Sequence, residues 1–132
     1  MANAKLYVAF YRPRYGNYEH WALSLETDTQ ALIFEVIGDR PDFKRNVVKA
    51  NPRSSVSFIT MILMGEVSSG DIDTVQEVAR TTKIDNETLE WDCQEYVLDV
   101  LETLESEFVV DQDEQTYKDA KKELKKKRGT IL

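Results

Sequence analysis

The hydrophobic pattern of this chain changes its period once, at residues 68–70 (Ser-Ser-Gly). Before that point, short apolar stretches are separated by turn-forming residues, which is typical of β-strands. After it, apolar residues recur at helical spacing. Strands that all precede the helices indicate an α+β fold. A chain of 132 residues is long enough to bury one hydrophobic core, so a single domain over residues 1–132 is expected.

Five strands are predicted between residues 5 and 67. Each candidate is rich in apolar, aromatic or β-branched residues and is bounded by turn formers. We expect a small antiparallel sheet in which consecutive strands are mostly neighbours. Residues 51–53 (Asn-Pro-Arg) are expected to form the turn between the last two strands. The predicted strands are residues 5–11, 20–26, 31–37, 43–50 and 55–67.

Two or three helices are predicted between residues 71 and 127. The second is the best signalled, because apolar residues mark one of its faces at a 3.6-residue period as far as Phe108. The third is highly charged, carries few apolar residues and is expected to pack loosely. The predicted helices are residues 71–83, a helix that begins at residue 93, and residues 114–127.

Charge and composition argue against several classes of function. A net charge of −7 disfavours general nucleic-acid binding, which needs clustered Lys and Arg. The basic residues at 121–128 are interpreted as a solvated helix end, favoured there by the helix dipole. A single cysteine and the lack of a signal-peptide pattern predict a cytoplasmic protein. No apolar run approaches the roughly 20 residues of a membrane span, so no integral membrane segment is expected.

The only cysteine, Cys93, is predicted to open the second helix. Asp92 followed three residues later by Glu95 fits a capping box with Asp as the cap. Backbone N–H groups and the helix dipole favour a thiolate at such a position. The same N–H groups can stabilise an oxyanion, which makes Asp92 and Gln94 candidate oxyanion-site residues. One short segment would then supply both a nucleophile and an oxyanion site.

Two features of the sequence oppose a reactive Cys93. The carboxylates of Asp92 and Glu95 disfavour a nearby thiolate. Cys93 also falls in line with Val97 and Val100 on the apolar helix face, and a lone cysteine in such a place is most often an inert core residue. The alternative to a nucleophile is therefore a buried structural cysteine.

The only histidine, His20, lies on the second strand, where alternation places it on the face opposite Trp21. If Thr27 and the next residue form a two-residue turn, Glu26 pairs with Thr29 and His20 lies opposite Glu35. Such a carboxylate can orient an imidazole and favour its protonation. The alternatives are that Glu35 reaches solvent from an edge strand, or that it pairs with Arg40 or Lys44.

Two motifs resemble those of a known superfamily. Residues 18–23 (YEHWAL) are similar to the histidine motif of the circularly permuted papain-like thiol hydrolases, which have a Tyr, any residue, then His-Trp-Ala and an aliphatic residue. That NlpC-type group includes lecithin:retinol acyltransferase and the H-Ras-like suppressor phospholipase/acyltransferases. Residues 92–97 (DCQEYV) resemble the group's Asn-Cys-Glu-His-Phe-Val motif, in which cysteine opens a helix. The PPPDE isopeptidases share the order of histidine before cysteine.

The resemblance implies a permuted papain-like fold and a role for each matched residue. It makes Cys93 the nucleophile and His20 the general base and acid. The third residue of the family is a histidine on the next strand, and it maps onto Glu35, which departs from the family pattern. Tyr18, which belongs to the histidine motif, is expected to line the site, and the alternative for this strand residue is a core aromatic.

Two hypotheses from different classes follow. The first is a small soluble cysteine hydrolase, of amidase, peptidase, esterase or acyltransferase type, that acts on the acyl group of a small molecule, a peptide or a protein. The second is a catalytically inactive binding or scaffold module that retains the fold. No cofactor is expected, and a metal site is disfavoured because one His, one Cys and one carboxylate fall one ligand short of a closed zinc site.

Overall fold

All five strands precede the three helices, as the change of hydrophobic period predicts. The computed structural model of the chain describes residues 3–13 and 19–128. Short 3₁₀ turns, Pro52–Ser54 and Ser69–Asp71, precede β5 and α1. The expected α+β class, with an antiparallel five-stranded sheet followed by helices, is confirmed. The elements are β1 (Ala4–Tyr11), β2 (His20–Glu26), β3 (Ala31–Ile37), β4 (Lys44–Lys49), β5 (Phe58–Val67), α1 (Ile72–Thr81), α2 (Cys93–Ser106) and α3 (Gln115–Lys127).

The strand order in the sheet is β4-β3-β2-β1-β5. The first four strands lie beside their sequence neighbours, as expected, whereas β5 crosses to the far edge and pairs with β1. The residues between β4 and β5 do not form a tight hairpin turn. Pro52 instead begins a 3₁₀ turn, capped by the Asn51 side chain, which accepts a hydrogen bond from the backbone N–H of Arg53. This short helical segment carries the chain away from β4.

The two faces of the sheet have different contents. The first face is large and apolar and packs against the helices, with Trp21, Leu23 and Phe34 among its buried residues. The second face carries a smaller cluster of buried residues, Ala9, Tyr11, Ala22 and Ile33. Because side chains alternate along a strand, His20 and Glu35 belong to this second face. The sheet therefore presents its polar side chains away from the main core.

The turn between β2 and β3 differs from the two-residue turn that the sequence suggested. The Thr27 hydroxyl accepts hydrogen bonds from the N–H groups of Thr29 and Gln30, and the Thr27 N–H donates to the Gln30 carbonyl at 2.8 Å. These bonds close a longer loop, and Glu26 consequently pairs with Ala31 instead of Thr29. A two-residue hairpin turn needs left-handed backbone, which a β-branched residue such as Thr27 adopts reluctantly.

The third helix packs more tightly than the sequence suggested. Its few apolar residues, Tyr117, Ala120 and Leu124, are all buried in the main core. The Tyr117 hydroxyl donates a hydrogen bond to Glu105 at 2.6 Å, and Lys121 forms an ion pair with the same carboxylate. The narrow apolar stripe of α3 is therefore sufficient to pack this helix against the core, because polar contacts to α2 lie beside it. No helix within residues 3–13 and 19–128 has the length and apolar character needed to cross a membrane.

Helix α2 ends before Phe108, which the periodicity placed on its apolar face. Phe108 instead has φ 59° and is 88% exposed. Its N–H donates to the Glu105 carbonyl at 3.1 Å, and the N–H of Val109 donates to the Leu104 carbonyl at 3.0 Å. These bonds form a Schellman C-cap, in which the left-handed position is usually glycine. Val109 and Val110 are buried in place of Phe108.

Replacing Phe108 by glycine is expected to stabilise the protein by about 1 kcal/mol, because a side chain in left-handed backbone costs that amount and this ring is mostly exposed. Urea unfolding followed by circular dichroism measures the change. Phe108→Ala is the matched control, since it removes the ring but keeps the left-handed Cβ. Equal stabilities of the Gly and Ala variants would contradict this account of the C-cap.

Candidate functional site

Cys93 is the first residue of α2, as the sequence predicts, and its side chain is half-buried. The Asp92 side chain caps the helix by accepting hydrogen bonds from the N–H groups of Gln94 at 2.9 Å and Glu95 at 3.2 Å. The Cys93 N–H has no acceptor among the described residues. The thiol therefore lies at the positive end of the helix dipole, beside a backbone donor that a ligand could use.

His20 and Glu35 form an ion pair on the second face of the sheet. His20 Nε2 lies 2.7 Å from Glu35 Oε1, and the two side chains are 28% and 14% exposed. Glu35 Oε2 accepts a second hydrogen bond, from Asn46 Nδ2 at 2.7 Å. The carboxylate is thus bound through both oxygens. Asn46, on β4, fixes the orientation of the Glu35 carboxylate, and this carboxylate orients the His20 imidazole.

The changed turn between β2 and β3 does not separate this pair. The longer turn moves the cross-strand partner of Glu26 from Thr29 to Ala31, which shifts the register by two residues. Because side chains alternate between faces every second residue, each side chain stays on its original face. His20 therefore meets Glu35 diagonally and not from the directly opposite position. Long side chains reach across such a diagonal.

The environment of His20 holds its imidazole in the protonated form. Burial, the largest single influence, opposes protonation, but the side-chain hydrogen bonds of Cys93 and Glu35 and the charges of both groups outweigh it. Together they raise the pKa of His20 to about 9. Burial also opposes ionisation of Glu35, yet hydrogen bonds from His20 and Asn46 lower the pKa of this carboxyl. Cys93, His20 and Glu35 are therefore brought together as one interacting group.

Tyr11 is a further neighbour of His20 that the sequence did not single out. It is the cross-strand partner of His20, and the two ring centroids lie 5.5 Å apart. Its hydroxyl is buried and has no hydrogen-bond partner among the described residues. Burial and the charge of Glu35 raise the pKa of Tyr11 to about 12, so the phenol stays neutral. Tyr11 packs one side of the imidazole.

Asp92 and Gln94 serve the start of α2 through their side chains. Asp92 is the helix cap described above. The Gln94 side chain is fully buried, and its Nε2 donates to the Glu19 carbonyl at 2.9 Å. Gln94 thereby ties the helix of Cys93 to the residue before His20, and its side-chain amide is engaged within the protein. Tyr18 lies outside the described residues.

Arg128 binds the first turn of α2, although the sequence suggested a solvated basic end. Its guanidinium donates to Glu95 Oε1 at 3.0 Å and to Gln94 Oε1 at 2.8 Å, and it lies 3.4 Å from Asp92 Oδ1. Glu95 therefore pairs with Arg128, and Asp92 supplies the cap hydrogen bonds to the backbone. No local pattern signals this contact, because it joins residues far apart in the chain.

The structural alternatives considered for Glu35 are not observed. Glu35 lies on an inner strand and binds His20 and Asn46, so its pairing with Arg40 or Lys44 is wrong. Cys93 is half-buried, which differs from a fully enclosed core cysteine. Among residues 3–13 and 19–128, no group of three or more His, Cys, Asp or Glu side chains is arranged to hold a metal ion.

Chemically, the arrangement supplies a thiol at a helix N-terminus, an imidazole near that thiol, and a carboxylate that is hydrogen-bonded to the imidazole. A nucleophile, a base and an orienting group in this order can perform covalent acyl transfer. The three residues of this arrangement lie on β2, β3 and α2.

Comparison with known proteins identifies a family but not an activity. No curated protein and no solved structure matches this chain. One family model matches residues 6–111, which run from within β1 to beyond the end of α2 and hence include His20, Glu35 and Cys93. The chain belongs to this family, DUF6540, a family of unknown function.

Proposed function

We propose that this protein is a thiol hydrolase or acyltransferase in which Cys93 is the nucleophile, His20 transfers protons and Glu35 orients His20. The observation that carries the proposal is the His20 imidazole, whose Nε2 lies 2.7 Å from Glu35 Oε1 and whose pKa is raised by the neighbouring Cys93 side chain together with Glu35. Since Nε2 is engaged by Glu35, Nδ1 is the ring nitrogen left to serve Cys93. The relation to the permuted papain-like superfamily remains part of the same proposal.

The reaction would begin from a thiolate and imidazolium pair. The Cys93 sulfur attacks the carbonyl carbon of an amide, ester or thioester, and the carbonyl electrons move onto oxygen. The Cys93 N–H is placed to donate to this oxyanion. As the tetrahedral intermediate collapses, the bond to the leaving group breaks and His20 gives that group its proton, which leaves an acyl-enzyme on Cys93.

The second half of the reaction would use neutral His20 as the base. It takes a proton from water, or from another nucleophile in the acyltransferase case, as that oxygen or nitrogen attacks the acyl-enzyme. Collapse expels the Cys93 thiolate and releases the acid or the new acyl product. The imidazolium regenerated on His20 again pairs with the thiolate, so no cofactor is required.

The alternative is a catalytically inactive binding or scaffold module, which the carboxylates of Asp92 and Glu95 favour because they oppose a thiolate at Cys93. Arg128 pairs with both carboxylates, which weakens that objection to a thiolate. The half-buried state of Cys93 also supports the enzyme proposal. We therefore favour the hydrolase.

Native protein mixed with p-nitrophenyl acetate is expected to release a burst of nitrophenol close to one equivalent and to carry one acetyl group on Cys93. The chain has a single cysteine, so mass spectrometry of the intact protein and its peptides locates the adduct. Cys93→Ala should abolish the burst, and His20→Ala should slow it about 100-fold, the usual contribution of a positioned acid or base. Acetylation that is absent from Cys93, or unchanged by His20→Ala, would contradict the proposed function.

A further inference from the structure

We propose that Arg128 is a positioning residue of the Cys93 site, where it offsets the carboxylates in the first turn of α2 and holds that turn against the start of β2. The inference rests on the proposed thiol chemistry and adds a residue from outside the part of the chain that the family model matches. Arg128 does not contact the reacting atoms. It acts through Asp92, Glu95 and Gln94.

The contacts of Arg128 converge on one turn of helix. Its Nε donates to Glu95 Oε1 at 3.0 Å, and its Nη1 donates to Gln94 Oε1 at 2.8 Å. Its Nη2 lies 3.4 Å from Asp92 Oδ1 and donates to the Glu90 carbonyl at 3.2 Å. The Arg128 side chain is only 20% exposed, so these interactions are less screened than those of a surface ion pair.

The first part of the proposed role is electrostatic. Cys93 lies in sequence between Asp92 and Gln94 and close to Glu95, so two carboxylates flank the thiol. Negative charges so near disfavour a thiolate. The Arg128 guanidinium pairs with both carboxylates and reduces the negative potential at the sulfur. The charge of this one residue thus favours the form of Cys93 that attacks a carbonyl.

The second part of the role is mechanical. The buried Gln94 amide accepts from Arg128 on one side and donates to the Glu19 carbonyl on the other. A continuous set of hydrogen bonds therefore runs from the end of α3, through the turn that carries Cys93, to the residue before His20. This connection keeps the helix start and the strand start in fixed relation.

Helix α3 contacts α2 at a second place besides Arg128, and this contact fixes the position of Arg128. Tyr117 and Lys121, early in α3, bind Glu105 near the end of α2. Near the other end of α3, Lys127 Nζ lies 5.0 Å from the centroid of the Phe10 ring. Arginine suits the site because its planar group carries five donors on three nitrogens in a fixed arrangement, whereas the three donors of a lysine lie on one nitrogen.

The test compares Cys93 alkylation by iodoacetamide at pH 6.5 and pH 9.5 in the full chain. Arg128→Ala is expected to slow the reaction at pH 6.5 about fivefold and to change it little at pH 9.5, the effect of a one-unit shift on a thiol that is about half ionised at pH 6.5. Arg128→Lys should be intermediate. Adding Glu95→Gln to Arg128→Ala should restore most of the rate at pH 6.5, because it removes a charge that Arg128 neutralises; a purely structural role predicts no such rescue.

Two further variants complete the test. Arg53→Ala is the matched control, since Arg53 pairs with Glu26 at 3.3 Å away from the site, and its alkylation should equal that of the wild type. Glu95→Gln alone keeps the other contacts of Arg128 and should raise the rate at pH 6.5, by no more than about twofold, through the loss of one nearby negative charge. This variant keeps the proposal testable even if Arg128→Ala does not fold.

The outcomes separate this inference from the proposed function. Wild-type rates in Arg128→Ala, together with slow alkylation in His20→Ala, would overturn the role of Arg128 and leave the hydrolase proposal standing. An unchanged rate in Glu95→Gln would overturn the electrostatic role. A wild-type thiol whose rate follows ordinary cysteine ionisation, with a midpoint near 8.5, would overturn both proposals.

Discussion

Replacing His20 by alanine is expected to slow the alkylation of native Cys93 at pH 6.5 about 50-fold. Without the imidazolium, the thiol should react as an ordinary cysteine, of which only about 1% is thiolate at that pH. In the wild type, the raised pKa of His20, about 9, keeps the imidazolium beside the sulfur through neutral pH. The charge that favours the thiolate is therefore present where an ordinary thiol is almost inert.

The pH dependence of this effect distinguishes it from a change in access. At pH 9.5 an ordinary thiol is already mostly thiolate, so the two proteins should react within about threefold of each other. Iodoacetamide rates measured by intact mass spectrometry give both values, and urea-denatured samples of the two proteins should react equally. If the thiol reacts only after denaturation, in both the wild type and the variant, that result would contradict the enzyme proposal and favour the binding module.

Replacing Glu35 by glutamine is expected to slow alkylation at pH 6.5 about tenfold or more. The amide has almost the same shape, but it cannot offset the charge of an imidazolium. Its NH₂ group would also face His20 Nε2, which forces that nitrogen to accept a hydrogen bond and places the ring proton on Nδ1 in a neutral imidazole. The variant thus removes the charge and the orientation that Glu35 supplies at 2.7 Å.

Glu26→Gln is the matched control for this variant. Glu26 lies at the other end of β2 and pairs with Arg53, so its loss should leave the alkylation rate at both pH values unchanged. Thermal melts of both variants check that the fold is intact. If Glu35→Gln alkylates at the wild-type rate at pH 6.5, Glu35 is a structural partner of Asn46 and has no part in setting the state of His20.

Much of the site could be predicted because it depends on local rules. Strand alternation places His20 and Glu35 on one face of the sheet. That prediction held although the β2–β3 turn was wrong, because the register shifted by two residues, which keeps both side chains on the same face. The cap residue Asp92 likewise locates Cys93 at the start of α2, as observed. Periodicity and capping thus predict the shared face of His20 and Glu35 and the position of Cys93, whereas the association of Cys93 with His20 was implied only by the resemblance of the two motifs.

The residues that sequence reasoning missed depend on contacts between distant segments. Asn46 binds Glu35 from β4, and it could have been found by extending the β3–β4 register, in which the two residues are partners. Tyr11 meets His20 only because β1 lies beside β2. Arg128 carries no local signal, since its charge fits a solvated helix end equally well.

Two errors in the helices have a common cause. Periodicity extended the apolar face of α2 to Phe108, but the C-cap turns the chain and buries Val109 and Val110 instead. Composition suggested that α3 packs loosely, yet Leu124 is fully buried. In both cases tertiary packing, which a single sequence does not encode in its local pattern, decides which side chains are enclosed.

The most direct test of the Cys93, His20 and Glu35 group is the titration of the His20 imidazole by proton NMR. The chain has one histidine, so its ring signals need no assignment. The account predicts that His20 titrates with a midpoint near 9, which means that it is charged at neutral pH, and that the midpoint falls in both Cys93→Ala and Glu35→Gln. A midpoint at or below 6.5 in the wild type, unmoved by either substitution, would contradict it.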